Sequence, residues 1–297
     1  MRWAVAGYGD VVVRRVLPAL REAGEELAGI WGRTRARAAD VAARFGIPVA
    51  TTDLAELLHG VDAVYVATPV VAHVPVALAA VGAGRHTLVE KPLAGALGSE
   101  SGRLAALAAE RGVTVGVAYY RRLNPTLIEL RKTLAVQPVR QVEVDFRHPF
   151  DPARDHPMHW RTERSVAGGG VLADAGSHRL DLLCWLFGPP DTVAGGIADP
   201  FPGGAERTAQ VRLGWSSGPV ANCRFSWCAG PAADRMTITG PGGEIVLDPL
   251  DAGLAANPHT PLVIDFARAV RESTAPVCPL ADASLVDTLI AVPPLRI

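Results

Sequence analysis

Lysine is nearly missing from this 297-residue chain: of its 29 basic side chains only Lys91 and Lys132 are lysines, and the rest are arginines. With arginine so common, a single arginine carries little information and a lysine carries more. The basic residues are balanced by 30 acidic ones, a net charge of −1, so the basic excess that marks a nucleic-acid binder is absent. Cysteine is scarce and scattered, at Cys184, Cys223, Cys228 and Cys278. No C-x-x-C pair or histidine spacing suggests a zinc site or a disulfide framework, and no metal is expected. No long apolar run is unbroken either: Val61 to Ala83 is interrupted by Asp62, Pro69, His73 and Pro75, which argues against a membrane span. The N-terminus enters a strand directly, without a basic-then-apolar leader, and the expected location is the cytoplasm.

What is present is a globular composition, 49% apolar and 20% charged, in a chain long enough for two domains. Short apolar runs alternate with helical patterns through the first half. Strands are expected at Trp3–Ala6, Leu27–Trp31, Ala63–Ala67, Thr87–Val89 and Thr114–Val117. Helices are expected near 12–23, 35–45, 72–83 and 98–111. Such alternation predicts a doubly wound parallel sheet in an α/β Rossmann domain over residues 1–120. After about Tyr120 the rhythm changes. A helix at 125–134, a long strand at 139–147 and a helix at 177–187 precede five strands between Thr192 and Leu247. Turns at Ser217-Gly218-Pro219 and Pro241-Gly242-Gly243 predict hairpins. Two closing helices are expected near 262–272 and 281–291. Residues 121–297 are therefore expected to form an α+β domain with an open, mostly antiparallel sheet.

Gly7-Tyr8-Gly9-Asp10-Val11-Val12 lies between the first strand and the first helix. The first glycine permits the tight turn, and the second lets backbone approach a pyrophosphate at the helix N-terminus. Val12 stands where the usual fingerprint has a third small residue. At the end of the second strand, Gly32-Arg33-Thr34-Arg35 offers no carboxylate for a ribose 2′-hydroxyl. Arg33 and Thr34 would instead hold a 2′-phosphate, which favours NADP(H), with NAD(H) remaining possible.

The stretches "VYVATP" at 64–69 and "HTLVEKPLA" at 86–94 carry a more specific signal, centred on Glu90-Lys91-Pro92. A second one is Asp174-Ala175-Gly176-Ser177-His178-Arg179-Leu180-Asp181. Trp160-Arg161, Gly168–Gly170, Tyr119–Arg122 with Asn124-Pro125, and Asp265-Phe266 with Ala269 complete the pattern. In these motifs the chain resembles the glucose–fructose oxidoreductase / inositol dehydrogenase / rhizopine catabolism (Gfo/Idh/MocA) family. The resemblance implies a nicotinamide-dependent oxidoreductase acting on a sugar, keto-sugar or polyol, assembled as a homo-dimer or homo-tetramer. It places Thr68, Pro69, Glu90 and Lys91 with the cofactor, beside Gly7, Tyr8, Gly9, Asp10, Val11, Arg33 and Thr34.

Reducing a ketone puts negative charge on its oxygen, which needs a proton and a nearby positive charge. Lys91, in a short proline-limited loop, suits the charge. His178 suits the proton, since histidine ordinarily titrates at about pH 6.5. Asp174, four residues earlier, would share a helical face with His178 and orient it or bond a hydroxyl. Tyr119, Tyr120, Arg121, Trp160, Arg161 and Asp181 are further candidates for substrate contact. An NADP preference favours reduction, hence a ketoreductase. The rival reading is a cofactor-binding sugar or redox sensor without turnover, for which a proton donor would be superfluous.

Overall fold

A computed structural model describes residues 1–97, 100–216, 218–228, 230–248 and 255–291. Six strands form the first sheet: β1 (Arg2–Ala6), β2 (Glu26–Trp31), β3 (Val49–Thr51), β4 (Ala63–Val66), β5 (His86–Val89) and β6 (Val115–Val117). All their pairings are parallel and their order is β3-β2-β1-β4-β5-β6. This is the doubly wound topology, and its switch point lies between β1 and β4. The inner strands β1 and β4 are buried on both faces, as expected of apolar strands covered by helices on each side.

Two elements here were not anticipated. Strand β3 has only three residues, too few for any alternation to show. The five-residue helix Leu54–Leu58 is capped by Asp53, whose carboxylate accepts from the Ala55 N–H at 2.8 Å. The helix expected at 12–23 is a π-helical turn, Val12–Val16, followed by an α-helix, Leu17–Glu22. Pro18 lacks the amide that would bond the Arg14 carbonyl, and the wider turn accommodates its ring. The helix expected at 98–111 is observed as Ser101–Arg111, and residues 98–99 lie outside the described residues.

The chain divides into two compact units, each made of separate stretches. The first comprises residues 1–93, 99–123 and 255–283, and the second residues 94–98, 124–254 and 284–297. A single cut near residue 120 therefore misses a return: the helix His259–Glu272 belongs to the first unit. Its Leu262, Val263 and Phe266 join the core around Trp3, Leu17 and Leu20, with the Phe266 and Trp3 rings 5.6 Å apart.

The second unit carries β7 (Gln141–Arg147), β8 (Thr192–Pro200), β9 (Glu206–Gly214), β10 (Val220–Ser226), β11 (Ala233–Gly240) and β12 (Gly243–Leu247). Their order is β12-β11-β7-β10-β9-β8; among the described residues only β7 and β10 pair in parallel. The β9–β10 and β11–β12 hairpins fall where the Gly/Pro turns placed them, though Ser217 lies outside the described residues. Alternation is clear in β10, where Ala221, Cys223 and Phe225 are buried. The same face, with Ala209 and Val211, supports a π-helical turn, Leu172–Gly176, that runs into the helix Ser177–Phe187.

In the same unit Asp287, on the helix Leu280–Ile290, accepts from the Ala94 N–H at 2.8 Å and the Gly95 N–H at 3.0 Å. Burial pushes its carboxyl up to about 7, against the pull of those two amides. A carboxyl raised in the folded state favours folding while protonated, and that contribution is lost as pH rises through the raised value. Relative to Asp287→Asn, the native chain should therefore lose on the order of a few kcal/mol of stability between about pH 4 and 7, then level off. Urea unfolding of both proteins across that range checks this; a constant difference would refute it.

Candidate active site

In the first unit the chain leaves β1 through Gly7, whose φ of +123° is costly for any residue with a side chain. A Cβ there would lie 2.3 Å from the Ala67 carbonyl oxygen, because the loops after β1 and β4 touch at the switch point. Gly9 differs: a Cβ added to it would meet nothing within 4 Å. It faces open space beside the start of the following helix, where a pyrophosphate belongs. Asp10 is exposed and pairs with Arg14 at 2.7 Å, and Val11 is partly buried against the core.

The Tyr8 ring lies over the end of β2. A Cβ on Gly32 would fall 1.9 Å from the ring, so only glycine admits this packing. The Tyr8 hydroxyl accepts from the Thr34 N–H at 3.2 Å, and the Arg37 guanidinium lies 5.3 Å from the ring centre. Arg33 and Thr34 are exposed, and the first turn of the helix Arg35–Phe45 holds no acid. Past β4, the Thr68 hydroxyl oxygen is buried without a partner among the described residues, next to Pro69. A buried hydroxyl without a partner among the described residues, an open glycine and an acid-free first helical turn after β2 fit a dinucleotide.

Glu90 and Lys91 follow β5, and the Lys91–Pro92 peptide is cis. Glu90 is buried, and its Oε1 accepts from the Tyr65 hydroxyl at 2.8 Å and from His259 Nε2 at 3.0 Å. Its Oε2 accepts from the Lys91 N–H at 3.2 Å. Burial alone would raise the Glu90 carboxyl. The His259 and Tyr65 hydrogen bonds and the Lys91 charge outweigh it and hold the group below its ordinary value. The Tyr65 phenol is pushed well above its ordinary value by burial and the adjacent carboxylate, so it stays a donor. His73, buried, has its two ring nitrogens 2.8 Å from the Thr68 carbonyl and 2.9 Å from the Pro92 carbonyl. It thus ties the loop after β4 to the loop after β5. Tyr119 is fully buried, while Tyr120 packs its ring 4.9 Å from that of His259 and lies under Arg121.

In the second unit Asp174 sits in the π-helical turn and His178 in the first turn of the α-helix that continues it. The expected one-turn spacing is kept on one helical segment, though its first turn is wider than an α-turn. Asp174 accepts from Arg161 at 3.0 Å, and both side chains remain 29% exposed. Trp160 is exposed beside Arg161. His178 is largely buried, and Asp181 is completely so, directed away from solvent. Arg179 fixes the helix: it pairs with Asp234 on β11, donates to the Ala175 carbonyl and stacks 4.4 Å from the Phe146 ring.

Comparison with known proteins decides the family. A model of the Gfo/Idh/MocA oxidoreductase family, with its NAD-binding Rossmann fold, matches residues 1–119, and the family's C-terminal domain model matches 133–246. The chain belongs to the Gfo/Idh/MocA family. It is 31% identical to D-xylose 1-dehydrogenase (NADP(+)) 2 of Haloferax volcanii, over 76% of this chain and 69% of that one. It is 29% identical to 1,5-anhydro-D-fructose reductase of Ensifer adhaerens, over 82% and 75%. Other relatives align over less of their own length, 63%, 50% and 60%. The solved structure of GenD2 from gentamicin A biosynthesis, in complex with NAD, superposes with a TM-score of 0.82 at 26% identity, covering 98% of this chain and 92% of that one.

As a Gfo/Idh/MocA protein the chain is an oxidoreductase with an NAD-binding Rossmann domain. Four residues around its motifs escaped the sequence reading. Tyr65 was legible in principle, because a tyrosine in a fully buried strand needs a partner for its hydroxyl. His73 stood out only as one of several histidines, and Arg179 as one of many arginines. His259, 169 positions beyond Glu90, gave no local signal at all.

Proposed function

We propose that this Gfo/Idh/MocA protein is an NADP(H)-dependent ketoreductase of a sugar, keto-sugar or polyol, working in the cytoplasm as a homo-dimer or homo-tetramer. The observation that carries the cofactor preference is the end of β2, where the Tyr8 hydroxyl meets the Thr34 N–H, Arg33 is exposed, Arg37 lies over the Tyr8 ring, and the first turn of the following helix holds no acid. Such a set repels nothing from a 2′-phosphate and offers it cations. The substrate class rests on the family pattern and on relatives named for xylose and anhydrofructose.

A bound nicotinamide supplies the hydride. Lys91, backed by the ionised Glu90, stabilises the charge that develops on the substrate oxygen. His178 gives that oxygen its proton. Asp174, held by Arg161 and still partly exposed, accepts from a substrate hydroxyl or orients His178. NADPH should bind at least about tenfold tighter than NADH, a difference of about 1.4 kcal/mol, and Arg33→Ala should remove most of the difference. Fluorescence titration with both cofactors tests this, and equal or reversed affinities would contradict it. NADPH oxidation with a panel of keto-sugars tests the activity; binding without turnover would favour a sensor.

A further inference from the structure

Glu90 lies at the centre of a closed set of groups in the first unit. An ionised carboxylate can only accept hydrogen bonds, so all its neighbours here must donate: the Tyr65 hydroxyl, His259 Nε2–H and the Lys91 backbone N–H. His259 is 3% exposed, and its imidazole reaches Glu90 from the first turn of the helix His259–Glu272. Its backbone N–H is tied to Asn257 at 3.2 Å and its ring lies against Tyr120. Its Nδ1 is buried with no hydrogen-bond partner among the described residues. Among the described residues the ring thus has one hydrogen-bond partner, Glu90. A histidine placed only to fill space would not be expected to aim its single bonded nitrogen at the carboxylate next to Lys91.

We propose that His259 is a positioning residue for Lys91, acting through Glu90: with Tyr65 it keeps the buried Glu90 fixed and ionised, and that carboxylate keeps the Lys91 amine charged. The proposal rests on the reading that Lys91 serves the reacting oxygen. A buried carboxylate that loses a donor takes up a proton more readily, and once neutral it no longer favours the lysine's ammonium form. The titratable groups around Glu90 are Tyr65 from β4, His73 from the helix His73–Gly82, His259, Tyr120 and Lys91 itself. Tyr65 stays protonated, and the two ring nitrogens of His73 face the Thr68 and Pro92 carbonyls, so His259 is the histidine in direct contact with the carboxylate.

The scarcity of lysine makes the test direct. Reductive methylation with ¹³C-formaldehyde labels only Lys91, Lys132 and the N-terminal amine. Lys132→Ala removes one signal, and Lys91→Ala identifies the other. The pH midpoint of the Lys91 signal is then followed by NMR in the cofactor-free protein, without any need for turnover. It should fall by about one unit, a tenfold loss in proton affinity, in both Glu90→Gln and His259→Leu. His259→Gln, which retains an N–H donor, should stay near the parent midpoint. If His259→Leu fails to fold, Tyr65→Phe, which deletes one donor and little volume, should move the midpoint the same way. An unchanged Lys91 midpoint in Glu90→Gln, or in the folded donor-deletion variant, overturns the proposal. A shifted midpoint in a protein that reduces no keto-sugar would leave this inference standing and remove the functional reading instead.

Discussion

Replacing Lys91 by alanine should lower kcat by about 10²–10⁴, the range for losing a preorganised charge at a developing oxyanion or a proton-transfer group. His178→Ala should fall in the same range. The two variants should differ elsewhere. Lys91 follows Glu90 on the loop after β5, which His73 ties to the loop carrying the Thr68 hydroxyl, so its loss should also weaken cofactor binding. His178 lies on a helix of the second unit fixed by Arg179 and Asp234, and its loss should leave NADPH affinity nearly unchanged. Asp174→Asn should be milder than His178→Ala if Asp174 only orients, because an asparagine oxygen can still accept from Arg161. Steady-state kinetics on a verified keto-sugar, with cofactor titrations alongside, separate these cases. Near-native turnover in both alanine variants would sink the mechanism. A loss confined to Lys91→Ala would keep the enzyme and remove His178 as proton donor.

Five of the first sheet's six strands were legible because they are buried runs set at regular spacing between helical patterns, whereas the short edge strand β3 was not. Periodicity and the glycine loop both report on local structure. The return of residues 255–283 to the first unit was not legible in the same way. The pattern that places Leu262, Val263 and Phe266 on one helical face says that the face is covered, not by which unit. The site shows a similar division. Gly7, Gly9, Glu90, Lys91, Asp174 and His178 stand in motifs that are contiguous in sequence. His259 meets Glu90 only through tertiary structure, and Arg179 gains its meaning only once Asp234 on β11 is beside it. Asp181 and Tyr119 show the converse: membership of a motif did not tell that both would be fully buried.

The two glycines of the loop after β1 should respond to substitution in opposite ways. At Gly7 a methyl group would meet the Ala67 carbonyl oxygen at 2.3 Å, and the backbone holds a φ of +123° that an alanine resists. Gly7→Ala should therefore be destabilising by roughly 1–3 kcal/mol or more, since neither the backbone of Ala67 nor the left-handed turn can yield cheaply. At Gly9 nothing lies within 4 Å of the added atom, and the residue has no unusual φ. Gly9→Val should leave the melting temperature within a few degrees of the parent, since a surface change with no clash is usually worth no more than about 0.5 kcal/mol. Yet the same side chain would stand in the space a pyrophosphate needs at the helix N-terminus, and dinucleotide binding should be lost. Calorimetry with NADPH and a thermal melt on each variant decide the matter. A Gly9→Val protein that binds NADPH normally would show that the phosphate site lies elsewhere. A Gly7→Ala protein as stable as the parent would show that the loops after β1 and β4 do not touch as described.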